Sequence, residues 1–165
     1  MSGEKRATDG FVPRGERHIA VYTDGAARGN PGPAGAGAMA VSPSGEVVAE
    51  VSRYLGEATN NVAEYMALIL VLEEVRPHAY RHLTVYTDSK LMANQVTGGY
   101  KVKSPSLKPL VARVRSLFDE YRTVEVQYIP REKNTACDAL ANRAVDAGLS
   151  GLQEPIVVAG QEPLF

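Results

Sequence analysis

The tetrapeptide Val-Tyr-Thr-Asp occurs twice in this chain, at residues 21–24 and 85–88. Each copy closes a β-rich run, His18 to Thr23 and His82 to Thr87, and each aspartate stands where the strand gives way. Period-two alternation puts Tyr and Asp on one face and Val and Thr on the other. If the two runs are neighbouring parallel strands, Asp24 and Asp88 project from one carboxyl edge, the usual ligand crevice of an open α/β sheet. An aspartate at a strand end is by itself an ordinary turn or capping residue. The identical pair is what favours a functional reading.

The rest of the chain supplies the elements such a sheet needs. Gly35 to Val41 and Glu46 to Tyr54 read as strands joined by a turn at Pro43-Ser44-Gly45. Thr59 or Asn60 caps a helix that runs to about Val75 and is stopped by Pro77. A short helix starts at Ser89 and ends at Gly98-Gly99, and another runs from the Pro105–Pro109 linker to about Tyr121. Val124 to Ile129 is a fifth strand, and Thr135 to Ala147 a last helix with Gly148 as a left-handed cap. This order predicts an α/β fold, a five-stranded mixed sheet with helices on both faces. Residues 1–17 read as a flexible arm, 18–149 as the domain and 150–165 as a tail.

The 165 residues suffice for one domain. The one cysteine, Cys137, rules out an internal disulfide and suits a reducing cytoplasm. The longest apolar run, Tyr65 to Leu72, is too short to cross a bilayer. A formal net charge of −1 gives no global basic field, so a nucleic-acid partner must meet a local patch. The chain is expected to act as a monomer away from membranes.

Two further acids resist a bland reading. Glu64 sits in a helix apolar nearly all round, so its carboxylate is pushed inward and must be protonated, paired or bound to metal. Asp138 lies in the first turn of the last helix, where an acid also complements the helix dipole. Four acids on separate elements suit hard cations such as Mg²⁺ or Mn²⁺, while His18, His78, His82 and Cys137 show no zinc-ligand spacing. Two such ions about 3.5–4 Å apart are the standard device for in-line phosphoryl displacement. Gly35-Ala36-Gly37-Ala38-Met39-Ala40 matches a dinucleotide fingerprint but lacks the helix that should follow, and the glycine-rich loop at 25–37 lacks the Gly-Lys-Ser/Thr ending of a P-loop. Its glycines, Gly25 first, are expected to let backbone approach a substrate closely.

The blocks Thr23-Asp24-Gly25-Ala26-Ala27-Arg28-Gly29-Asn30-Pro31-Gly32, Thr59-Asn60-Asn61-Val62-Ala63-Glu64, Thr87-Asp88-Ser89 and Asn134-Thr135-Ala136-Cys137-Asp138 resemble, in this order, the type 1 ribonuclease H family. The resemblance spans about Ile19 to Leu149. It implies a ribonuclease H-like fold and cleavage of the RNA strand of RNA–DNA hybrids, leaving 5′-phosphate and 3′-hydroxyl ends. It further implies two Mg²⁺ or Mn²⁺ ions bridged by Asp24, with Asp138 holding the one that activates water and Glu64 and Asp88 holding the other. Asn30, Thr59, Asn60 and Asn61 match family positions that contact the substrate backbone. Arg131 stands in the loop where many relatives carry a mobile histidine, and is expected to take that role.

The chain has no tryptophan, so the tryptophan-rich basic protrusion of some relatives is absent. Instead, no Asp or Glu occurs between Ser89 and Phe118, while Lys90, Lys101, Lys103, Lys108, Arg113 and Arg115 do. Lys90, Lys101 and Lys103 are the expected phosphate contacts, with Tyr100 as a stacking surface. Two alternatives stand beside this reading: a non-catalytic hybrid-binding module, and an integrase- or resolvase-like nuclease on the same fold. The final Gln161-Glu162-Pro163-Leu164-Phe165 resembles the short peptide that docks replication proteins on the sliding clamp, with Gln161, Leu164 and Phe165 as its anchors. The competing expectation is that these apolar residues pack on the body.

Overall fold

The computed structural model describes residues 17–99 and 101–156. Tyr100, nearly all of the proposed arm, and Gln161, Leu164 and Phe165 of the tail lie outside the described residues. The chain runs β1 (His18–Ala27), β2 (Gly32–Val41), β3 (Val47–Ala58), α1 (Asn60–Val75), β4 (His82–Thr87), α2 (Lys90–Val96), α3 (Lys108–Phe118), β5 (Thr123–Tyr128) and α4 (Thr135–Leu149). Short 3₁₀ turns precede β4 at Arg76–His78 and α4 at Arg131–Lys133.

The five strands form one mixed sheet in the order β3-β2-β1-β4-β5. β1, β2 and β3 are antiparallel neighbours, and β4 runs parallel to both β1 and β5. The repeated tetrapeptides pair with one another in register, Val21 with Val85, Tyr22 with Tyr86 and Thr23 with Thr87. The expected juxtaposition of Asp24 and Asp88 follows from that pairing.

α1 packs on one face of the sheet and is buried almost all round, because α3 covers its outer side. Its start is held by Thr59, whose hydroxyl accepts the Val62 amide at 3.2 Å. α4 packs on the opposite face across β1, β2 and β3. The core between sheet and helices is built from Ile19, Val21, Leu68, Leu72, Leu83 and Leu110, all essentially inaccessible to solvent.

Two expectations need correction. The stretch 25–37 is mostly not a loop: β1 continues to Ala27 and β2 begins at Gly32, because Ala26 and Ala27 pair with Gly35 and Ala34. Gly148 is not a left-handed cap. It lies inside α4, where a Cβ would collide with the Tyr54 ring, and the positive φ of +77° falls at Gly151. Beyond α4 the chain turns back along the β3 edge. Gln153 accepts the Tyr54 amide at 2.7 Å and donates to the Ser52 carbonyl at 3.0 Å, while Ile156 packs against the core.

Candidate active site

Four elements deliver the four acids. Asp24 stands on β1 opposite Gly37, and Asp88 follows directly on β4. Glu64 reaches the same place because α1 lies on the backbone of β1: a Cβ at Gly25 would sit 2.5 Å from the Glu64 nitrogen. α4 approaches equally closely on the other face, where a Cβ at Gly37 would run into the Cys137 carbonyl and lie 2.5 Å from the Ala141 nitrogen. Gly25, Gly35 and Gly37 thus let helix backbone lie directly on the strands, whereas at Gly29 and Gly32 a Cβ would meet only the turn itself. The close approach is what brings side chains from opposite faces of the sheet to one edge.

Asp24, Glu64 and Asp88 each place a carboxylate oxygen within 4.8 Å of the other two. Asp138, exposed on α4, acts on Asp24 through its charge but stands outside this tight group. Burial pushes the Asp24 carboxyl up to about 7, and the charges of Asp88 and Asp138 add to the rise. Glu64 is held well above the usual carboxylate range by burial first and then by Asp24 and Asp88, while Arg131 and the Gly25 amide oppose the shift. Its Oε1 is buried and has no hydrogen-bond partner.

Such an orphan is rare in a folded interior and costs stability unless something else pairs with it. Together with Asp24 and Asp88, Glu64 makes three mutually repelling carboxylates, which call for positive charge, and an all-oxygen donor set fits a hard divalent cation. Cys137, by contrast, is buried and inert: burial pushes its thiol up to about 12, and its Sγ donates to the Tyr22 carbonyl.

The remaining residues singled out in the sequence divide by location. Asn30 Oδ1 accepts the Asn60 amide at 2.9 Å, and Asn60 Oδ1 accepts the Ala27 amide at 3.1 Å. The two asparagines thus tie the β1–β2 turn to the start of α1, beside Thr59 and the exposed Asn61. Arg131 lies on the 3₁₀ turn before α4, close enough for its charge to act on Glu64.

Lys90 opens α2, with its Nζ 5.1 Å from the centre of the exposed Tyr128 ring. Lys101 lines an open cleft of about 630 Å³ with Lys108, Arg115, Gly98 and Gly99, and Lys103 is exposed nearby on the same loop. Arg113 stands apart: it forms an ion pair with Glu73 of α1 at 2.9 Å.

Sequence reasoning overlooked Asn134. An asparagine before a helix reads as a cap, yet its side chain makes no cap bond. Buried at 3% exposure, it donates from Nδ2 to the Thr23 carbonyl at 2.8 Å and lies 3.5 Å from Asp88 Oδ2. It thereby ties the strand bearing Asp24 to Asp88 and the start of α4.

The Reverse transcriptase-like family matches residues 22–144. The "Bifunctional protein Rv2228c" of Mycobacterium tuberculosis is 41% identical over 130 residues, 78% of this chain and 36% of that protein. The solved N-terminal RNase H domain of Rv2228c superposes with a TM-score of 0.76 at 40% identity, covering 78% of this chain and 99% of that one. The chain belongs to the ribonuclease H family.

Ribonuclease HI of Halobacterium salinarum is 41% identical over 81% of this chain and 66% of its own length. LC11-RNase H1, solved in complex with an RNA/DNA hybrid, superposes with a TM-score of 0.75 at 43% identity over 79% of this chain and 99% of that one. The chain thus spans about a third of the mycobacterial relative and about two-thirds of the archaeal one. The expected architecture agrees with these ribonuclease H structures, and no helix among the described residues is long and apolar enough to cross a membrane.

Proposed function

We propose that this chain is an endoribonuclease that hydrolyses the RNA strand of RNA–DNA hybrids and leaves 5′-phosphate and 3′-hydroxyl ends. The observation that carries the reading is the buried, unpartnered Oε1 of Glu64, whose carboxyl group clusters with those of Asp24 and Asp88. A relative of 43% identity crystallised with an RNA/DNA hybrid supports the substrate class. Two divalent ions, Mg²⁺ or Mn²⁺, would supply an activated water and charge compensation at the leaving 3′-oxygen. Asp24 would hold both, Asp138 the one on the side of the attacking water, and Glu64 and Asp88 the other.

Arg131, on the turn before α4 and with a charge that acts on Glu64, would assist water placement or product departure. Asn30, Thr59, Asn60 and Asn61 ring the same edge with amides and a hydroxyl, groups suited to reading a 2′-hydroxyl and the backbone beside it. Lys90, Lys101 and Lys103 extend the surface with cations for phosphate. All four acids come from one chain, so we read the active form as a monomer, working in a compartment such as the cytoplasm where Cys137 stays reduced.

The test is cleavage of matched RNA–DNA, RNA–RNA and DNA–DNA duplexes with Mg²⁺ or Mn²⁺, beside the Asp24→Asn variant. Cutting of RNA in the hybrid, lost in the variant and on chelation, is the expected result. Cutting of DNA–DNA would favour an integrase- or resolvase-like nuclease. Tight hybrid binding without cutting would make this a binding module.

A further inference from the structure

Asp138 is the most exposed of the four acids, and its charge and that of Asp24 repel each other. A carboxylate so placed on an open helix face has free rotamers unless something holds it. α4 carries Asp138, Asn142 and Asp146 at spacings of four, which aligns them in one stripe. Arg28, just past the end of β1, lies along that stripe. Its Nη1 donates to Asp146 Oδ1 at 2.8 Å, and its Nη2 to the Asn142 carbonyl at 3.2 Å and to Asn142 Oδ1 at 3.4 Å. Asn142 Nδ2 in turn donates to the Asp138 carbonyl at 3.0 Å and to Asp138 Oδ1 at 3.4 Å.

The direction of this chain of bonds follows from chemistry. A guanidinium only donates, so it takes the oxygen end of the Asn142 amide and turns the NH₂ end toward Asp138. Asp146 fixes the guanidinium in turn, and the Arg28 amide is anchored to the Pro33 carbonyl at 2.9 Å, which keeps the base of the turn rigid. The relay gives Asp138 a donor that offsets the repulsion from Asp24.

We propose that Arg28 is a positioning residue which, through Asn142, presets the Asp138 carboxylate for metal binding. The proposal rests on the metal-binding role given to Asp138 above. Outer partners of metal ligands characteristically cost about 10–100-fold in metal affinity or activity when removed. For a relay this exposed, the lower end, about tenfold, is expected.

The experiment uses the full chain and compares Arg28→Ala, Arg28→Lys, Asn142→Ala and the Arg28→Ala/Asn142→Ala double variant. Mn²⁺ binding to the metal-free protein is followed by calorimetry, kcat and KM for a hybrid are taken at saturating Mg²⁺, and melting temperatures are recorded. Weaker Mn²⁺ binding and lower kcat in both single alanine variants, with KM unchanged, are expected. The double variant should be no worse than the poorer single one, because the two residues act as one unit. Arg28→Lys should recover only part of the loss, since an ammonium cannot fork between Asp146 and Asn142.

A lowered melting temperature with Mn²⁺ binding and kcat intact would overturn the proposal and leave Arg28 a purely structural tie. A raised KM with a flatter salt dependence and normal Mn²⁺ binding would overturn it in favour of direct substrate contact. Additive losses in the double variant would also overturn it. If the unaltered chain cleaves no hybrid, the proposed activity fails, while the Mn²⁺ isotherms still decide whether the relay sets Asp138.

Discussion

Tyr22 and Tyr86 stack with ring centroids 4.7 Å apart and planes 18° from parallel, directly across the β1–β4 pair. A shift of one residue in that pairing would turn every side chain of one strand to the wrong face. The stack, two residues before each carboxylate, thus helps lock the register that sets Asp24 beside Asp88. Replacing both rings by alanine should lower stability by about 1 kcal/mol beyond the loss of buried area. A double-mutant cycle on urea unfolding of Tyr22→Ala and Tyr86→Ala measures that coupling; strictly additive losses would show that the stack contributes nothing of its own.

The acid cluster should be indispensable to catalysis. Asp88→Asn and Glu64→Gln each remove a charge that holds a cation, which is worth several kcal/mol at the transition state, or about a thousandfold in kcat. Single-turnover cleavage of a labelled hybrid reads this, with circular dichroism confirming the fold. Turnover within tenfold of the unaltered chain in either variant would remove that residue from the site.

The same cluster should make the metal-free protein less stable as pH rises. Asp24 titrates near 7 in the fold against an ordinary 3.8, and Glu64 is shifted the same way. Between those values the folded state binds more protons than the unfolded one, so the stability from the protonated acids is complete below about pH 4 and is lost as pH climbs through about 7. Melting temperatures in chelator should therefore fall from pH 5 to pH 8, and Mg²⁺ should reverse the fall. Asp24→Asn should flatten the profile and melt higher than the unaltered protein in chelator at pH 8. A profile that rises with pH would contradict the assignment.

Gly37→Ala tests the packing of α4. The added methyl meets helix backbone, which has no rotamer by which to yield, so a loss of about 3 kcal/mol is expected. Because α4 carries Asp138, kcat should drop as well. Denaturant unfolding and hybrid cleavage measure the two effects, and an unchanged midpoint would mean that the helix has room to move.

The basic loop should act on binding alone. Lys101→Ala with Lys103→Ala is expected to raise KM and flatten its salt dependence while leaving kcat nearly constant, because phosphate contacts serve ground and transition states alike. KM measured across a salt series decides it; an unchanged slope means that the loop faces away from the duplex.

Gln153→Ala removes two hydrogen bonds along the edge of β3. A cost of about 1–2 kcal/mol is expected in thermal or urea unfolding, with no change in kcat. No loss of stability would show that water replaces the side chain at the strand edge.

The local features of this protein were legible in its residues. Strand alternation, the Thr59 cap and the apolar girth of α1 around Glu64 depend on neighbours a few positions apart, so periodicity and capping chemistry were enough to place five strands, four helices and four suspect acids. The repeated tetrapeptide carried the condition for the site, but only pairing across 64 residues of chain brought the two copies into register. Partners brought together by the fold decided the rest. Ala26 and Ala27 became strand because β2 offered them a ladder, and Gly148 stayed helical because the Tyr54 ring occupies the space a Cβ would need. Asn134 turned inward because Thr23, more than a hundred residues earlier, presents its carbonyl there. Arg113 was spent on Glu73, whereas Lys101 was left lining a cleft. None of these outcomes has a local signature, because each is set by which backbone or side chain tertiary packing happens to bring within a few ångströms.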